Sequence, residues 1–202
     1  MTPILYSYRR CPYAMRARMA LYVANISVEL REISLRNKPA HMLAVSPKGT
    51  VPVLVLPNGH VIEQSIDIMD WALQQHDPEA WLAVDHTQRQ QWITNNDGPF
   101  KAALDRYKYP EKYPESAQAD YRAQGEAHLQ QLETVLQQHR FILGHQASMV
   151  DIALFPFIRQ FAAVDPVWFG SSNYPCVAAW LSYWVESELF SHVMQKYPTY
   201  LD

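Results

Sequence analysis

One stretch of the sequence decides the fold: ILYSYRRCPYAMRARMALYVA, residues 4–24. Residues 4–8 are apolar and aromatic, which predicts a short strand. Residues 12–24 are rich in Ala, Met and Arg, which are good helix formers. Cys11 stands between these segments, and Pro12 follows at the first helical position, where a missing backbone N–H does no harm. The stretch therefore predicts a strand that leads through Cys11 directly into a helix.

The α/β pattern continues for about fifty residues after this helix. The further predicted elements are strands at 27–33, 51–56 and 60–62 and helices at 39–45 and 64–75. Asn58-Gly59 lies between the last two strands, and Asn-Gly between apolar runs is the strongest short-range signal for a hairpin. The order βαβαββα predicts an α/β domain with a mixed sheet over residues 1–76.

The second half of the chain has a different character. Asp77-Pro78 marks a break, after which the strand signals stop and helical periodicity prevails. The sequence therefore predicts a linker at 77–86 and an all-helical domain at 87–202. Within that domain Ser148 and Asp151 have the spacing of a capping box before an apolar run. Both residues are predicted to have a structural role, in starting a helix.

Composition excludes several classes of function. The chain has 202 residues, 49% hydrophobic and 18% charged, and its apolar runs are far shorter than the roughly 20 residues of a membrane span. A net charge of -3 without a dense basic run argues against nucleic acid as a partner. The eight histidines lack the spacing of metal ligands, so no metal is predicted. Two cysteines and no signal-peptide pattern predict free thiols in a cytoplasmic protein.

Cys11 is the first candidate for chemistry. At the start of a helix its sulfur faces unpaired N–H groups and the positive end of the helix dipole, which lowers a thiol pKa from ~8.5 into the range of roughly 3.5 to 7.5. Arg9, Arg10 and Arg16 are close in sequence and add positive potential. We therefore favour a reactive thiolate at Cys11 over a structural cysteine. Cys176, which lies among apolar residues, is predicted to be a buried structural thiol.

Four motifs together resemble one known family. CPYA at 11–14, RAR at 16–18, LRNKP at 35–39 and PKGTVPVL at 47–54 are similar to cysteine-type members of the glutathione transferase superfamily, in particular to the omega class. The resemblance covers essentially the whole chain. It implies the glutathione transferase fold, in which a thioredoxin-like first domain precedes an all-helical second one. It also implies glutathione as co-substrate and a homodimer.

The resemblance assigns roles to individual residues. Cys11 would be the catalytic thiol, and the residues that bind glutathione would be Lys38, Val51, Pro52, Gln64 and Ser65. Lys38 would reach the glycyl carboxylate, Val51 would pair its backbone with the cysteinyl residue, and Pro52 would be cis.

Gln64 and Ser65 would hold the γ-glutamyl end. The omega-like pattern usually has Glu-Ser at these two positions, whereas this chain has Glu63 one place earlier. Whether Glu63 or Gln64 contacts the γ-glutamyl group stays open at this point.

The leading functional hypothesis is a glutathione-dependent thiol transferase that acts on a small disulfide or electrophilic substrate. The Cys11 thiolate would attack the glutathionyl sulfur of a mixed disulfide or conjugate, and free glutathione would resolve the adduct. Reduction of dehydroascorbate is compatible with this chemistry. The aromatic residues expected to wall an open second-substrate cleft are Tyr107, Tyr109 and Trp168.

Two other hypotheses stay open. A glutaredoxin-like oxidoreductase would have to be monothiol, because Ala14 stands where a dithiol cycle needs its second cysteine. The other alternative is a non-catalytic scaffold of the same fold that binds protein partners, which fold alone does not exclude.

Overall fold

The computed structural model describes residues 2–201. Along this range the strands are β1 (Ile4–Ser7), β2 (Glu29–Glu32), β3 (Val53–Val55) and β4 (Val61–Ile62). The α-helices of the same range are α1 (Pro12–Val23), α2 (Ala40–Val45), α3 (Ser65–Gln75), α4 (His86–Asn95), α5 (Lys101–Lys108), α6 (Gln118–Leu136), α7 (Met149–Ala162), α8 (Pro166–Gly170), α9 (Pro175–Val185) and α10 (Glu188–Val193). The chain forms two compact units, one made of residues up to Leu82 and from Ser187 onward, the other of Ala83–Glu186.

The first unit is built on a mixed sheet with the strand order β2-β1-β3-β4. β1 runs parallel to β2 and antiparallel to β3, with Leu5 opposite Leu30 on one side and Leu54 on the other. β3 and β4 are antiparallel and form the hairpin predicted from Asn58-Gly59, in which Gly59 has a φ of 85°. The observed order of elements is the βαβαββα order predicted from the sequence. The parallel β1–β2 pair needs a crossover connection, and α1 provides it.

Buried side chains on the sheet and on the adjacent helices fix the position of α1. On one strand face Tyr6 forms an apolar cluster with Ile33, Met42 and Val53. α1 packs along α3, and both helices contribute side chains without solvent exposure: Met15, Met19, Ile68 and Met69. Each such side chain stabilises the fold by roughly 1.5–3 kcal/mol relative to an exposed one. The start of α1, where Cys11 lies, is therefore anchored by the core of this unit.

The second unit has an all-helical core, with two local features that the sequence indicates. A π-helical turn, Asn96–Phe100, joins α4 to α5 at Gly98-Pro99, because proline lacks the N–H of a regular helical bond. At the start of α7 the Oγ of Ser148 accepts the Val150 N–H at 3.2 Å, and the carboxylate of Asp151 accepts the Ser148 N–H at 2.9 Å. The second unit thus has a capping box at the beginning of its most buried helix.

Asp151 does more than cap α7. Its other carboxylate oxygen accepts the Ile142 N–H at 3.1 Å and the indole N–H of Trp180 at 2.9 Å. Burial raises the pKa of this carboxyl group, and the hydrogen bonds from Ile142, Trp180 and Ser148 oppose that shift. The residue therefore ties three segments of the second unit together from its interior.

The carboxyl-terminal segment differs from the predicted domain organisation. The sequence pattern assigns 87–202 to the helical domain, whereas the residues from Ser187 onward belong to the first unit. α10 packs against α1, and Tyr200 donates its N–H to the Glu32 carbonyl at 2.7 Å, beside an isolated parallel bridge from Thr199 to Glu32. The sequence pattern does not show which unit α10 packs on, since that depends on contacts distant in sequence.

His128 on α6 gives the fold a pH dependence. Its ring stacks on Phe100 at 4.6 Å between centroids and meets Trp92 edge-on at 5.8 Å. Burial lowers the pKa of His128 from 6.5 to about 4. Between these two pH values the unfolded chain binds a proton that the folded chain does not bind, so the free energy of unfolding falls as the pH falls, by roughly 3 kcal/mol at most.

We expect His128→Gln to reduce this acid destabilisation. The measurement is urea denaturation of both proteins at pH 7, 5.5 and 4.5, with His60→Gln as the control, because His60 is an exposed histidine in the β3–β4 hairpin. An equal loss of stability between pH 7 and 4.5 in the wild type and in His128→Gln would show that His128 is not the group responsible.

Candidate active site

Cys11 occupies the N-cap position of α1. Its backbone is extended, with φ -73° and ψ 123°, and Pro12 follows at the first helical position. The Cys11 N–H donates to the Tyr8 carbonyl at 3.0 Å, and the Cys11 carbonyl accepts the Met15 N–H at 2.9 Å. The half-buried thiol donates toward the Val51 carbonyl oxygen at 3.7 Å. The structure thus brings Cys11 and Val51 together.

The loop that carries Val51 contains a cis peptide bond between Val51 and Pro52. Pro52 is buried, and Val51 is half-buried at the entry to β3. Val51 lies before the paired residues of β3, and main-chain groups outside a ladder can bind an extended peptide. Next to the Cys11 thiol, the backbone of Val51 is therefore suitable for holding a short peptide whose reactive group points at the sulfur.

Ser65, the first residue of α3, is held by α1. Its Oγ accepts the Nε–H of Arg16 at 3.0 Å, and both side chains are buried. The Arg16 guanidinium also lies 5.1 Å from the centre of the Tyr13 ring. Arg16 was expected only to add positive potential near Cys11, and its contact with Ser65 became visible only in the structure. The beginning of α3, where unpaired N–H groups favour an anion, thus has a buried cation beside it.

Glu63 and Gln64 have different surroundings. The Glu63 carboxylate accepts the Ser46 hydroxyl at 2.5 Å, and the Lys48 ammonium lies 3.8 Å from it. Lys48 also donates to the Glu63 carbonyl at 3.2 Å. Gln64 is the N-cap of α3 and is exposed. The carboxylate is therefore engaged within the protein, whereas the amide faces solvent.

Lys38 lies across Gly49. Gly49 has a φ of 62°, and a Cβ built on it would be 3.3 Å from the Lys38 Nζ and 3.2 Å from a methyl carbon of Leu43. Both the left-handed backbone and the close approach favour glycine here. The amine of Lys38 is thereby next to the loop that leads to Val51. Sequence reasoning missed Gly49, although a glycine two residues before Val51 was the available signal in a chain with only 6 glycines.

The structure corrects the role predicted for Tyr107. This side chain is 2% exposed, and its ring packs on Phe161 at 5.0 Å between centroids, so it is a core residue and does not line an open cleft. Tyr107 lies in the last turn of α5, on the inward face, and the exposed connector begins only after it. Burial raises the pKa of its hydroxyl.

The other two aromatic residues predicted for the cleft have different environments. Tyr109 is 36% exposed. Trp168 is half-buried, packs edge-on against Phe161 at 6.2 Å and has the Arg122 guanidinium 4.6 Å from its ring centre. Their role in a second-substrate cleft stays a prediction.

Cys176 is half-buried near the start of α9 and not fully buried as the sequence suggested. The Glu133 carboxylate accepts the Cys176 N–H at 3.2 Å and the Val177 N–H at 2.9 Å. Burial raises the pKa of the Cys176 thiol, and the neighbouring carboxylate raises it further. A carboxylate thus occupies the helix end that would otherwise stabilise a thiolate.

The described residues, 2–201, contain neither a cluster of metal ligands nor a helix that could span a membrane. Within this range no three His, Cys, Asp or Glu side chains are placed together so that they could hold a metal ion. None of the helices described is long and apolar enough to cross a bilayer.

The sequence matches known protein families over most of its length. The family model for the glutathione S-transferase N-terminal domain matches residues 5–80, and the model for the C-terminal domain matches residues 90–182. Mouse glutathione S-transferase omega-1 is 30% identical over 168 residues, which are 80% of this chain and 68% of the mouse protein. The chain belongs to the glutathione S-transferase family. The rat omega-1 enzyme is 28% identical over 176 residues, with the same two coverages of 80% and 68%.

Solved structures show the same fold. The glutathione transferase URE2P6 from Phanerochaete chrysosporium, solved in complex with oxidised glutathione, has a TM-score of 0.81 at 19% identity and covers 95% of this chain and 94% of its own. A family member from Pseudomonas fluorescens, with two glutathione bound, has a TM-score of 0.79 at 18% identity and covers 96% of this chain and 92% of its own. The thioredoxin-like and all-helical units predicted from the sequence are thus those of the glutathione transferase fold. The relatives support a general glutathione transferase function.

The contrast between the two thiols of this transferase can be tested. Because Glu133 raises the pKa of Cys176, we expect Glu133→Gln to increase the rate at which iodoacetamide alkylates Cys176 at pH 7.5, by about three- to tenfold. The measurement is mass spectrometry in a Cys11→Ser background, where Cys176 is the remaining thiol. Gln keeps an acceptor for the two backbone N–H groups. An unchanged rate would mean that burial alone limits the reaction.

Proposed function

We propose that the protein is a glutathione-dependent thiol transferase and that Cys11 is its nucleophile. The observation that carries the proposal is the position of Cys11 at the N-cap of α1, with its thiol 3.7 Å from the carbonyl of Val51, the residue before cis Pro52. A helix N-terminus stabilises a thiolate, and a thiolate is the attacking species in thiol–disulfide exchange. The chain would therefore combine a reactive sulfur with a nearby backbone segment that can bind a peptide.

The reaction has two exchange steps. In the first, the Cys11 thiolate attacks the glutathionyl sulfur of a mixed disulfide, a new disulfide bond joins Cys11 to glutathione, and the substrate leaves as a thiolate that takes a proton from solvent. In the second, the thiolate of free glutathione attacks the glutathionyl sulfur of this adduct. Oxidised glutathione leaves, and the Cys11 thiolate is restored. Reduction of a mixed disulfide thus consumes one free glutathione, whereas a substrate of the dehydroascorbate type, which carries no glutathionyl group, needs two.

The charges around the site suit a tripeptide with a carboxylate at each end. Lys38, which lies over Gly49, would bind the glycyl carboxylate as a point charge. The hydroxyl of Ser65 and the N-terminus of α3, with Arg16 behind them, would bind the γ-glutamyl carboxylate. Val51 would pair its backbone with the cysteinyl residue between these two ends. This arrangement would favour glutathione over a thiol that carries only one carboxylate.

Gln64, and not Glu63, would contact the γ-glutamyl group. The Glu63 carboxylate is already bound to the Ser46 hydroxyl, and release from that bond would cost a hydrogen bond to a charged group, about 1.5–3 kcal/mol. The exposed Gln64 amide can accept from the γ-glutamyl ammonium and also donate to its carboxylate. The substitution of Gln for the usual Glu therefore leaves the site functional.

The second substrate and the assembly complete the proposal. Tyr109 and Trp168 would contact a small electrophilic or disulfide substrate through their rings. Two copies of the chain would form a homodimer, as the family resemblance implies, and light scattering on a sizing column measures this directly as twice the 23.4 kDa of one chain.

Glutathionylation of Cys11 is the deciding experiment. We expect oxidised glutathione to add a single glutathionyl group to the wild type even at mildly acidic pH, because a thiolate persists there, and we expect reduced glutathione to remove it. Intact-protein mass spectrometry measures both steps. Cys11→Ser should stay unmodified, and Cys176→Ser should behave as the wild type. An adduct on Cys176, or none at all, would reject the transferase mechanism in favour of the scaffold hypothesis.

Lys38 provides an independent test of the binding site. We expect Lys38→Gln to weaken the binding of reduced glutathione by about ten- to hundredfold, since a charge-assisted hydrogen bond is worth about 1.5–3 kcal/mol. The measurement is calorimetric titration, with Lys112→Gln as the matched control that removes the same charge from an exposed turn of the second unit. Equal affinities for the two variants would mean that Lys38 does not contact glutathione.

A further inference from the structure

Arg18 on α1 is a buried cation that holds the loop before Cys11. The side chain is 6% exposed, and its Nη1 donates to the hydroxyl of Ser7 and to the Tyr8 carbonyl, the latter at 3.4 Å. Its Nη2 donates to the Arg9 carbonyl at 2.9 Å. One guanidinium group therefore binds three consecutive residues between the end of β1 and the start of α1.

The link from Arg18 to Cys11 passes through a shared acceptor. The Tyr8 carbonyl accepts the Cys11 N–H at 3.0 Å and also the Arg18 Nη1–H. Movement of Arg18 would therefore shift the group that fixes the Cys11 backbone. The acceptors of the guanidinium are a hydroxyl and two carbonyls, all neutral, and its Nε–H has no hydrogen-bond partner in the described part of the chain. None of the groups that accept hydrogen bonds from Arg18 therefore carries a negative charge.

The titratable groups around Arg18 come from several elements. Glu32 on β2 has its carboxylate 2.7 Å from the Arg9 backbone nitrogen, whose N–H it accepts. Cys11, Arg9 and Tyr197 are also within electrostatic reach of Arg18, and His192 of α10 lines the same cavity of about 560 Å³. Glu32 is the carboxylate among these groups, and its negative charge stabilises the guanidinium of Arg18.

The interaction between Arg18 and Cys11 acts in both directions. Burial lowers the pKa of Arg18 to about 10, while the charges of Glu32 and of the Cys11 thiolate raise it. Arg18 therefore remains protonated at neutral pH. Since the electrostatic energy of two groups is mutual, the guanidinium stabilises the Cys11 thiolate by the same amount as the thiolate stabilises the guanidinium.

We propose that Arg18 is a positioning residue for Cys11: its guanidinium fixes the loop of residues 7–9 and supplies a buried positive charge that favours the Cys11 thiolate, while Glu32 opposes this charge. The helix N-terminus and Arg18 then act on the same sulfur, one through backbone dipoles and the other through a full charge. A role of Arg18 in the exchange reaction of Cys11 rests on the proposed function. The effect of Arg18 on the balance between thiol and thiolate at Cys11 does not.

The experiment measures the pH profile of Cys11 alkylation by iodoacetamide in a Cys176→Ser background. We expect Arg18→Gln to move the midpoint of the profile upward by about one pH unit, which is a tenfold loss of thiolate below the midpoint. Glu32→Gln should move it downward, because Gln keeps an acceptor for the Arg9 N–H but removes the opposing charge. Arg18→Lys, which retains the charge, should stay close to the wild type.

Because Arg18→Gln and Glu32→Gln are expected to shift the midpoint in opposite directions, the two variants distinguish an electrostatic effect from a merely structural one. Damage to the loop would affect the profile of Arg18→Gln and Glu32→Gln in the same direction, and that result, or an unchanged midpoint in both, would overturn the proposal. Circular dichroism checks folding, and if Arg18→Gln is unfolded, Glu32→Gln and Arg18→Lys still decide the outcome. Because alkylation uses no glutathione, shifted midpoints together with no glutathionylation would reject the proposed function and retain this inference.

Discussion

A helix that begins directly after a central strand leaves its first N–H groups without partners in the helix, and this constraint shapes the first unit. At four of the other helices oxygen side chains satisfy such groups, namely Asp85 at α4, Ser148 at α7, Asp165 at α8 and Ser187 at α10. At α1 the N-cap residue is Cys11, which makes no such capping bond. The chain thereby gives up about 1 kcal/mol of helix stability that an oxygen cap supplies. The partial positive charge at the N-terminus of α1 is instead next to the sulfur of Cys11.

The two cysteines show that the residues next to a cysteine in sequence do not determine the electrostatic environment of its thiol. Each lies at the start of a helix next to a proline, Pro12 after Cys11 and Pro175 before Cys176. Glu133 from α6 occupies the helix end at Cys176, whereas Arg18 holds the loop at Cys11. The charged group near each sulfur thus comes from another turn or another helix, and its sign is opposite at the two cysteines.

Local chemistry made much of this fold predictable. Asn58-Gly59 indicated the hairpin, Pro12 the helix start, and Ser148 with Asp151 the capping box, because in each case residues close in sequence determine the geometry. The burial of Tyr107 was not predictable in this way, since a connector rich in proline begins just after it and the contact with Phe161 bridges distant segments. The inward direction of Arg16 and Arg18 escaped notice for a related reason, as arginine is usually exposed and only packing against α3 and β1 buries it.

The pairing of the carboxyl-terminal segment with β2 has a consequence for association between molecules. A sheet edge with open N–H and C=O groups is a template on which another chain can add a strand. Here Tyr200 donates to the Glu32 carbonyl, and the Arg31 guanidinium lies 4.4 Å from the centre of the Tyr200 ring, so the end of β2 is covered by the chain itself. The segment thus protects the protein from edge-to-edge aggregation at the strand that carries Glu32.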